Sequence, residues 1–313
     1  MVKIFIIINP RNPVENNPEN IKLIKTFSNS KGLTTFVHKM TDMKLKYICF
    51  SLLLVVLTSC GEYNKILKST DTMVKYEAAK RYFNEGKYSR SATLLEEVVS
   101  LLRGTSNAEE SLYLLAQAQY AMKDYVSAAE YFKSYYTSFP RGEYAELARY
   151  YSAYGLYLDS PDPRLDQSDT YKAMQQFQDF LEYYPQSEKK EQVQQALYEL
   201  QEKLSYKELM AVRLYYNLGD YTLYTFPGGN YLSCVITAQN AMRTYPFSKY
   251  REDFMYYTFK SKYEMAKQSV EEKKDFRYRD VVDEYYSYVN DYPEGKYLKE
   301  IQKLYDNVAK QLN

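Results

Sequence analysis

Four aromatic-proline turns, each preceded by the same side-chain spacing, constrain this chain of 313 residues more than any other feature. The turns read Phe139-Pro140-Arg141-Gly142, Tyr184-Pro185-Gln186-Ser187, Tyr245-Pro246-Phe247-Ser248 and Tyr292-Pro293-Glu294-Gly295. Ahead of the first, Tyr125, Ala128, Phe132 and Pro140 are spaced by 3, 4 and 8. The spacing recurs in Thr170, Ala173, Phe177 and Pro185, in Tyr231, Cys234, Ala238 and Pro246, and in Tyr278, Val281, Tyr285 and Pro293. Tyr88, Ser91 and Leu95 open a fifth copy, which ends at Arg103-Gly104 in place of a proline. Offsets of three and four lie on one helical face. The small residue lets a neighbouring helix approach, and the aromatic fills the groove beside it. Proline then stops the helix, because it cannot donate into the helical ladder.

A second helix precedes each of these. Ser111 to Met122 is one, with Lys123-Asp124 as its turn, and Glu85-Gly86-Lys87 makes the same turn in the first copy. This helix-turn-helix unit of about 34 residues resembles the tetratricopeptide repeat. The resemblance covers residues 74–103, 108–141, 143–186, 190–247 and 250–294, with Lys296 to Leu312 as a closing helix. The expected fold is therefore an all-α solenoid of five repeats and a capping helix. Repeat four departs most, with Thr222 to Asn230 inserted, and repeat three carries an Asp- and Pro-rich loop from Asp159 to Asp169. Both read equally as partner contacts or as tolerated surface insertions.

The N-terminal part carries a different signal. Met43-Lys44-Leu45-Lys46 leads into an eleven-residue apolar stretch, Tyr47 to Leu57, and then Thr58-Ser59-Cys60. A basic start, a short apolar core and small residues before a break describe a secretory signal peptide. A cysteine directly after that break resembles the lipobox of bacterial lipoproteins. There the thiol receives a diacylglycerol and becomes the new N-terminus. The apolar run falls short of the about 20 residues that span a bilayer. The resulting division is 43–59 as signal, 60–73 as lipidated tether, 74–186 as repeats one to three, and 187–313 as repeats four and five with the cap. Residues 1–42 hold a short apolar patch at Phe5–Ile8 and then an Asn/Pro-rich run from Asn9 to Asn20 with no helical or strand period; they read as an early start, with Met43 or Met40 the true one, or as disordered, and a folded module is the alternative.

Composition then excludes chemistry. From Cys60 onward there are 33 Lys and Arg against 37 Asp and Glu, which leaves no electrostatic footprint for nucleic acid. The one histidine, His38, precedes Cys60, and Cys234 is the only other cysteine after it. Neither a Cys/His zinc site nor a histidine-assisted nucleophile can be built from that set. No metal, no cofactor beyond the covalent lipid on Cys60, and no catalytic residue are expected. Cys234 holds the small-residue place of its repeat and is expected to be buried. There are 38 tyrosines and no tryptophan. Tyrosine joins an apolar body to a polar tip, which suits half-buried helix contacts and binding surfaces.

The lipobox, the five repeats and the opening Tyr76-x-x-Ala79-x-x-Tyr82-Phe83-x-x-Gly86-x-Tyr88-x-x-Ser91 together resemble the BamD family of outer-membrane lipoproteins. The tyrosine-rich composition and the repeat-four insert suggest its Bacteroidetes type. The resemblance implies a periplasmic face of the outer membrane, with acyl chains on Cys60. It implies membership of the β-barrel assembly (Bam) complex. C-terminal repeats would dock on the periplasmic domains of the barrel subunit BamA, and N-terminal repeats would meet unfolded outer-membrane proteins. Gly61-Glu62 lacks the acidic run that accompanies export to the cell surface. By analogy with the repeat, Tyr76, Phe83, Tyr113, Tyr120 and Arg149 would face the substrate groove. Phe226, Tyr231, Tyr256 and Tyr257 would serve the scaffold contact. For each, packing between helices is the competing reading. Two other functions fit less well: a glycan-binding lipoprotein resembling the SusD family, and a generic periplasmic tetratricopeptide adaptor.

Overall fold

The structure, a computed structural model, describes residues 61–221 and 229–312. Cys60, the signal segment 43–59, residues 1–42 and Phe226 lie outside the described residues. The chain divides into two compact units, 1–75 and 76–313. In the first, residues 61–67 are helical, and Asp71 accepts hydrogen bonds from the backbone N–H groups of Met73 (2.8 Å) and Val74 (3.2 Å). An aspartate in that place satisfies donors that the first helical turn cannot.

The second unit is an array of helix pairs. The helices are α1 (Thr72–Asn84, which begins in the first unit), α2 (Tyr88–Leu101), α3 (Ala108–Ala121), α4 (Tyr125–Ser138), α5 (Ala145–Asp159) and α6 (Ser168–Tyr183). They continue with α7 (Lys190–Leu218), α8 (Gly229–Thr244), α9 (Arg251–Lys267), α10 (Glu271–Asp291) and α11 (Leu298–Leu312). From α2 onward each helix packs on the next in chain order, and the first helices also touch at α7/α9 and α9/α11. This is the five-repeat, all-helical tetratricopeptide-like solenoid with a capping helix. Among the described residues no helix is long and apolar enough to cross a membrane.

The repeated spacing has the predicted consequence. Its small residues, Ser91, Ala128, Ala173, Cys234 and Val281, are all fully buried. Leu95, Phe132, Phe177 and Ala238, four places on, are buried beside them. Each such ring or branched chain contributes about 1.5–3 kcal/mol on burial. Burial also pushes the Cys234 thiol up to about 11.

The turns are alike to the atom. Phe139, Tyr184, Tyr245 and Tyr292 each donate back to the carbonyl four residues earlier, and each carbonyl accepts from the residue three places on. Leu102 and Thr105 do the same in the first copy, where Gly104 takes a positive φ of 81° in place of a proline-led turn. One hydroxyl then sits at every junction. In repeats two and five it belongs to a tyrosine of the second helix. Tyr135 donates to Glu109 and accepts from Tyr144 N–H (3.2 Å); Tyr288 donates to Glu252 (2.6 Å) and accepts from Tyr297 N–H (3.2 Å). In repeats three and four it belongs to the turn serine. Ser187 donates to Glu146 and accepts from Lys189 N–H (3.0 Å); Ser248 donates to Glu202 (3.3 Å) and accepts from Tyr250 N–H (3.1 Å). Where the tyrosine fills the seat, the turn residue is glycine. A Cβ on Gly142 would lie 2.8 Å from the Tyr135 hydroxyl, and one on Gly295 2.4 Å from that of Tyr288.

Two departures from the expected pattern stand out. α7 has 29 residues against 17 in α9. Glu191 holds the place of the junction glutamate, yet the contact is made by Glu202, eleven residues later. Eleven residues are about three helical turns, so the extension keeps the face in phase. The Asp159–Asp169 loop is tied down: Gln167 is buried and donates to the Asp162 and Leu165 carbonyls, and Lys203 and Lys207 of α7 donate to the carbonyls of Ser160 and Leu165.

Gly142→Ala should lower stability by about 1–3 kcal/mol, because it displaces a buried hydroxyl from both its partners. The double change Tyr135→Phe with Gly142→Ser rebuilds the repeat-three arrangement and should recover most of that loss, read as guanidinium midpoints by circular dichroism. A soluble maleimide near neutral pH should leave Cys234 unmodified in folded protein and label it once guanidinium is added; mass spectrometry of intact protein separates the two.

Candidate peptide-binding groove

The tyrosines of the first helices sort into clamps and open rings. Tyr76 donates from its hydroxyl to Glu110 of α3, Lys80 donates to the same carboxylate (3.1 Å), and the Lys80 ammonium lies 5.2 Å from the Tyr76 ring centroid. α9 and α11 repeat the arrangement. Tyr256 donates to Glu300 (2.9 Å), Lys260 donates to Glu300 (3.0 Å), and Lys260 lies 4.9 Å from the Tyr256 centroid. Burial disfavours ionisation of Glu110 and Glu300, but the hydrogen bonds they accept outweigh it and hold both carboxyls below the usual range.

These contacts decide where the predicted residues go. Tyr76, Tyr113 and Tyr256 are buried, and the latter two stack on Tyr144 (4.3 Å) and Tyr297 (3.9 Å). All three are packing residues between helices. Phe83 is half-buried with its ring edge on Tyr88, and Tyr120 is half-buried among Tyr125, Phe132 and Tyr151. Arg149 leaves the first-helix face altogether. Its guanidinium lies between the rings of Tyr136 in α4 (4.2 Å) and Tyr183 in α6 (3.9 Å), both second helices. A long side chain can cross its own helix to reach two ring faces, and the cation–π contacts reward it. Of the residues expected at a scaffold contact, Tyr231 and Tyr257 are half-buried and both meet the ring of Tyr216.

An open groove of about 370 Å³ lies between α5 and α7 on the first-helix face. Tyr150, Tyr154 and Tyr157 form one wall; Glu191, Gln192, Gln195, Ala196 and Glu199 form the other. Tyr150 and Tyr154 are stacked at 5.3 Å and 17°, and Tyr154 meets Tyr157 at 5.3 Å and 35°. Tyr150 donates to Gln192 (3.2 Å) and Tyr157 to Glu199. Glu199 also accepts from Gln195 (2.8 Å). Burial and then the Glu199 hydrogen bond push the Tyr157 phenol up to about 12, and that bond, with the one from Gln195, holds the Glu199 carboxyl low. Glu199 also borders a second hollow of about 320 Å³ with Tyr198, Lys203, Tyr206, Lys249 and Tyr250, where burial lowers the Lys203 ammonium. A larger hollow, about 650 Å³, lies on the second-helix side between α2 and α4, where Arg103, Glu130 and Lys133 mix both charges.

The α5/α7 groove offers stacked ring faces, charged carboxylates and amide acceptors at side-chain scale. Such a surface holds side chains of an extended segment. Its three tyrosines at i, i+4 and i+7 were readable in the sequence from 150 to 157 as one helical stripe. Among the described residues no group of His, Cys, Asp or Glu could hold a metal ion.

A family model described as YfiO, outer membrane lipoprotein, matches residues 68–225, a range that contains the whole groove. No curated protein matches the chain. Among solved structures, a kinesin light chain from Podosopora anserina with nearly identical TPR-like repeats covers 67% of this chain and 92% of its own, at 11% identity and a TM-score of 0.28.

Alkaline titration should separate these tyrosines. Tyr113, Tyr120 and Tyr157 are pushed up to about 12 by burial first. A phenol whose pKa is higher folded than unfolded gives stability that is intact below about 10 and lost as pH rises through its folded value. Ultraviolet phenolate absorbance should therefore rise in two phases, the later one coinciding with loss of helical circular dichroism. A single phase near the free-tyrosine value, with helix content intact, would contradict the buried placement.

Proposed function

The chain belongs to the YfiO family of outer membrane lipoproteins, and from that premise we propose that it is the lipoprotein subunit of a β-barrel assembly (Bam) complex. It works by binding and has no catalytic role. Acyl chains on Cys60 hold it to the periplasmic face of the outer membrane, where more than one chain is needed for durable attachment. Repeats four and five dock on the periplasmic domains of a BamA-like barrel protein, and the first-helix face of repeats one to three receives unfolded outer-membrane proteins before insertion. Its tyrosine-rich composition fits the Bacteroidetes type.

The observation that carries this reading is the α5/α7 groove. Three tyrosine rings and their hydrogen-bonding neighbours line a trough of side-chain size within the family-matched residues. Extended chains with alternating aromatic residues can lay rings against such walls while their backbones find amide and carboxylate acceptors.

Affinity purification of the tagged full chain in mild detergent, with mass spectrometry of the co-purified proteins, tests the reading. Near-stoichiometric recovery of a large barrel protein with periplasmic repeat domains is the expected result. A TonB-dependent sugar transporter in its place would move the protein to the glycan-binding class. An alkyne-tagged fatty acid fed to cells should label the protein, and Cys60→Ala should abolish the label; labelling that survives the substitution would remove the Cys60 anchor from the account.

A further inference from the structure

The first helices use one device at several junctions. At α1/α3 and α9/α11, a tyrosine and a lysine four residues on (Tyr76 with Lys80, Tyr256 with Lys260) meet a glutamate of the next first helix. At α7/α9 Arg213 reaches Asp253 in the same sense (3.3 Å). In each case a resident cation fills the space between two first helices, and at the first two it also lies against the tyrosine ring. At α3/α5 the matching places hold Tyr113, Gln117 and Leu147, so no acid awaits a cation.

The α5/α7 junction breaks the pattern in two respects. Tyr150 is present, but the lysine place is taken by Tyr154 and the place of the acid by Gln192, which accepts from the Tyr150 hydroxyl (3.2 Å). The carboxylates of Glu191 and Glu199 are nevertheless there, and no basic residue lines the groove between them and the rings. Lys189, at the turn, has its ammonium 5.4 Å from the Tyr150 centroid, and Lys203 donates to the Ser160 carbonyl (3.1 Å) and hydroxyl; neither lines the groove beside Tyr154 and Tyr157. Glu199 is held charged by Tyr157 and Gln195. The rings of Tyr154 and Tyr157 on one wall and the carboxylates of Glu191 and Glu199 on the other thus border a groove that no basic residue lines.

We propose that the α5/α7 groove binds a lysine or arginine side chain of an extended peptide, held between the tyrosine wall of α5 and the carboxylates of α7. The ring faces of Tyr154 and Tyr157 attract the cation, and Glu191 and Glu199 neutralise it. The volume of about 370 Å³ admits one or two side chains and no folded element. This rests on the reading that the first-helix face receives unfolded chains, and it names what that face selects: a basic residue within the incoming segment.

The test uses the full chain and fluorescein-labelled peptides of one sequence, aromatic at alternate positions, with arginine or its neutral isostere citrulline between them. Anisotropy should show the arginine peptide binding about tenfold more tightly than the citrulline peptide at low salt, with the difference shrinking as salt rises. Tyr154→Lys supplies the missing resident cation, and Glu199→Gln removes a carboxylate. Either should bring the arginine peptide to the citrulline level while helix content and melting stay unchanged. Equal binding of the two peptides overturns the cation site and leaves the groove as an unfolded-chain site. Tight arginine binding that Tyr154→Lys does not weaken places the cation elsewhere and overturns it too. Binding of neither peptide removes both the cation site and the peptide-receiving role of the groove.

Discussion

One hydroxyl, seated where each second helix turns into the next first helix, sets the register of the array. It donates to a glutamate of the first helix in its own repeat, and it accepts from the backbone N–H two residues past the turn. Glu109, Glu146, Glu202 and Glu252 are the acceptors. The donor changes identity, from Tyr135 and Tyr288 to Ser187 and Ser248, while the seat stays occupied. In the first copy Thr105 accepts likewise from Asn107 N–H (3.3 Å), but its hydroxyl donates to the Leu102 carbonyl (2.6 Å) in place of a glutamate. A buried N–H left unpaired costs about 1–3 kcal/mol, so each junction must solve the problem. Two solutions exclude each other sterically: glycine pairs with tyrosine because the ring hydroxyl occupies the space of a side chain, and serine pairs with Phe180 or Ala241 because no hydroxyl arrives from the helix.

That constraint explains why the fold was so legible. Aromatic-proline turns and the 3-4-8 spacing mark the end of each second helix, and every helix pair follows from them. The site was less legible, for physical reasons. Helical spacing identifies a face but not which neighbour a long side chain crosses to, so Arg149 was expected toward the first-helix groove and lies between Tyr136 and Tyr183. Tyrosine at a first-helix position has the same signature whether it is clamped, like Tyr76 and Tyr256, or open to a groove, like Tyr154. The partner that closes it, a glutamate in the next repeat, lies 34 residues on for Tyr76 and 44 for Tyr256. The extension of α7 left no mark either, because an insertion of about three whole turns does not interrupt a helical pattern.

The α7 extension and the open groove are connected. Lengthening α7 moves its junction glutamate from the place of Glu191 to Glu202, three turns along the same face. The early turns of α7 are thereby released from the duty that Glu109, Glu146 and Glu252 perform at the start of their helices. Val193, Ala196 and Leu200 on one side of this stretch pack into the core with Phe177 and Phe180, while Glu191, Gln192, Gln195 and Glu199 on the other line the groove. A helix that carried its junction contact in the first turn would have Glu191 engaged there. The added length therefore separates two tasks within one helix: Glu202, at its middle, holds repeat four in register, and the three turns before it present polar groups to the tyrosine wall of α5. Removing eleven residues from α7 in phase would keep the helical face and restore the contact at Glu191, but it would also take the acidic wall away from Tyr154 and Tyr157. On this argument the groove exists because α7 is longer than the other first helices.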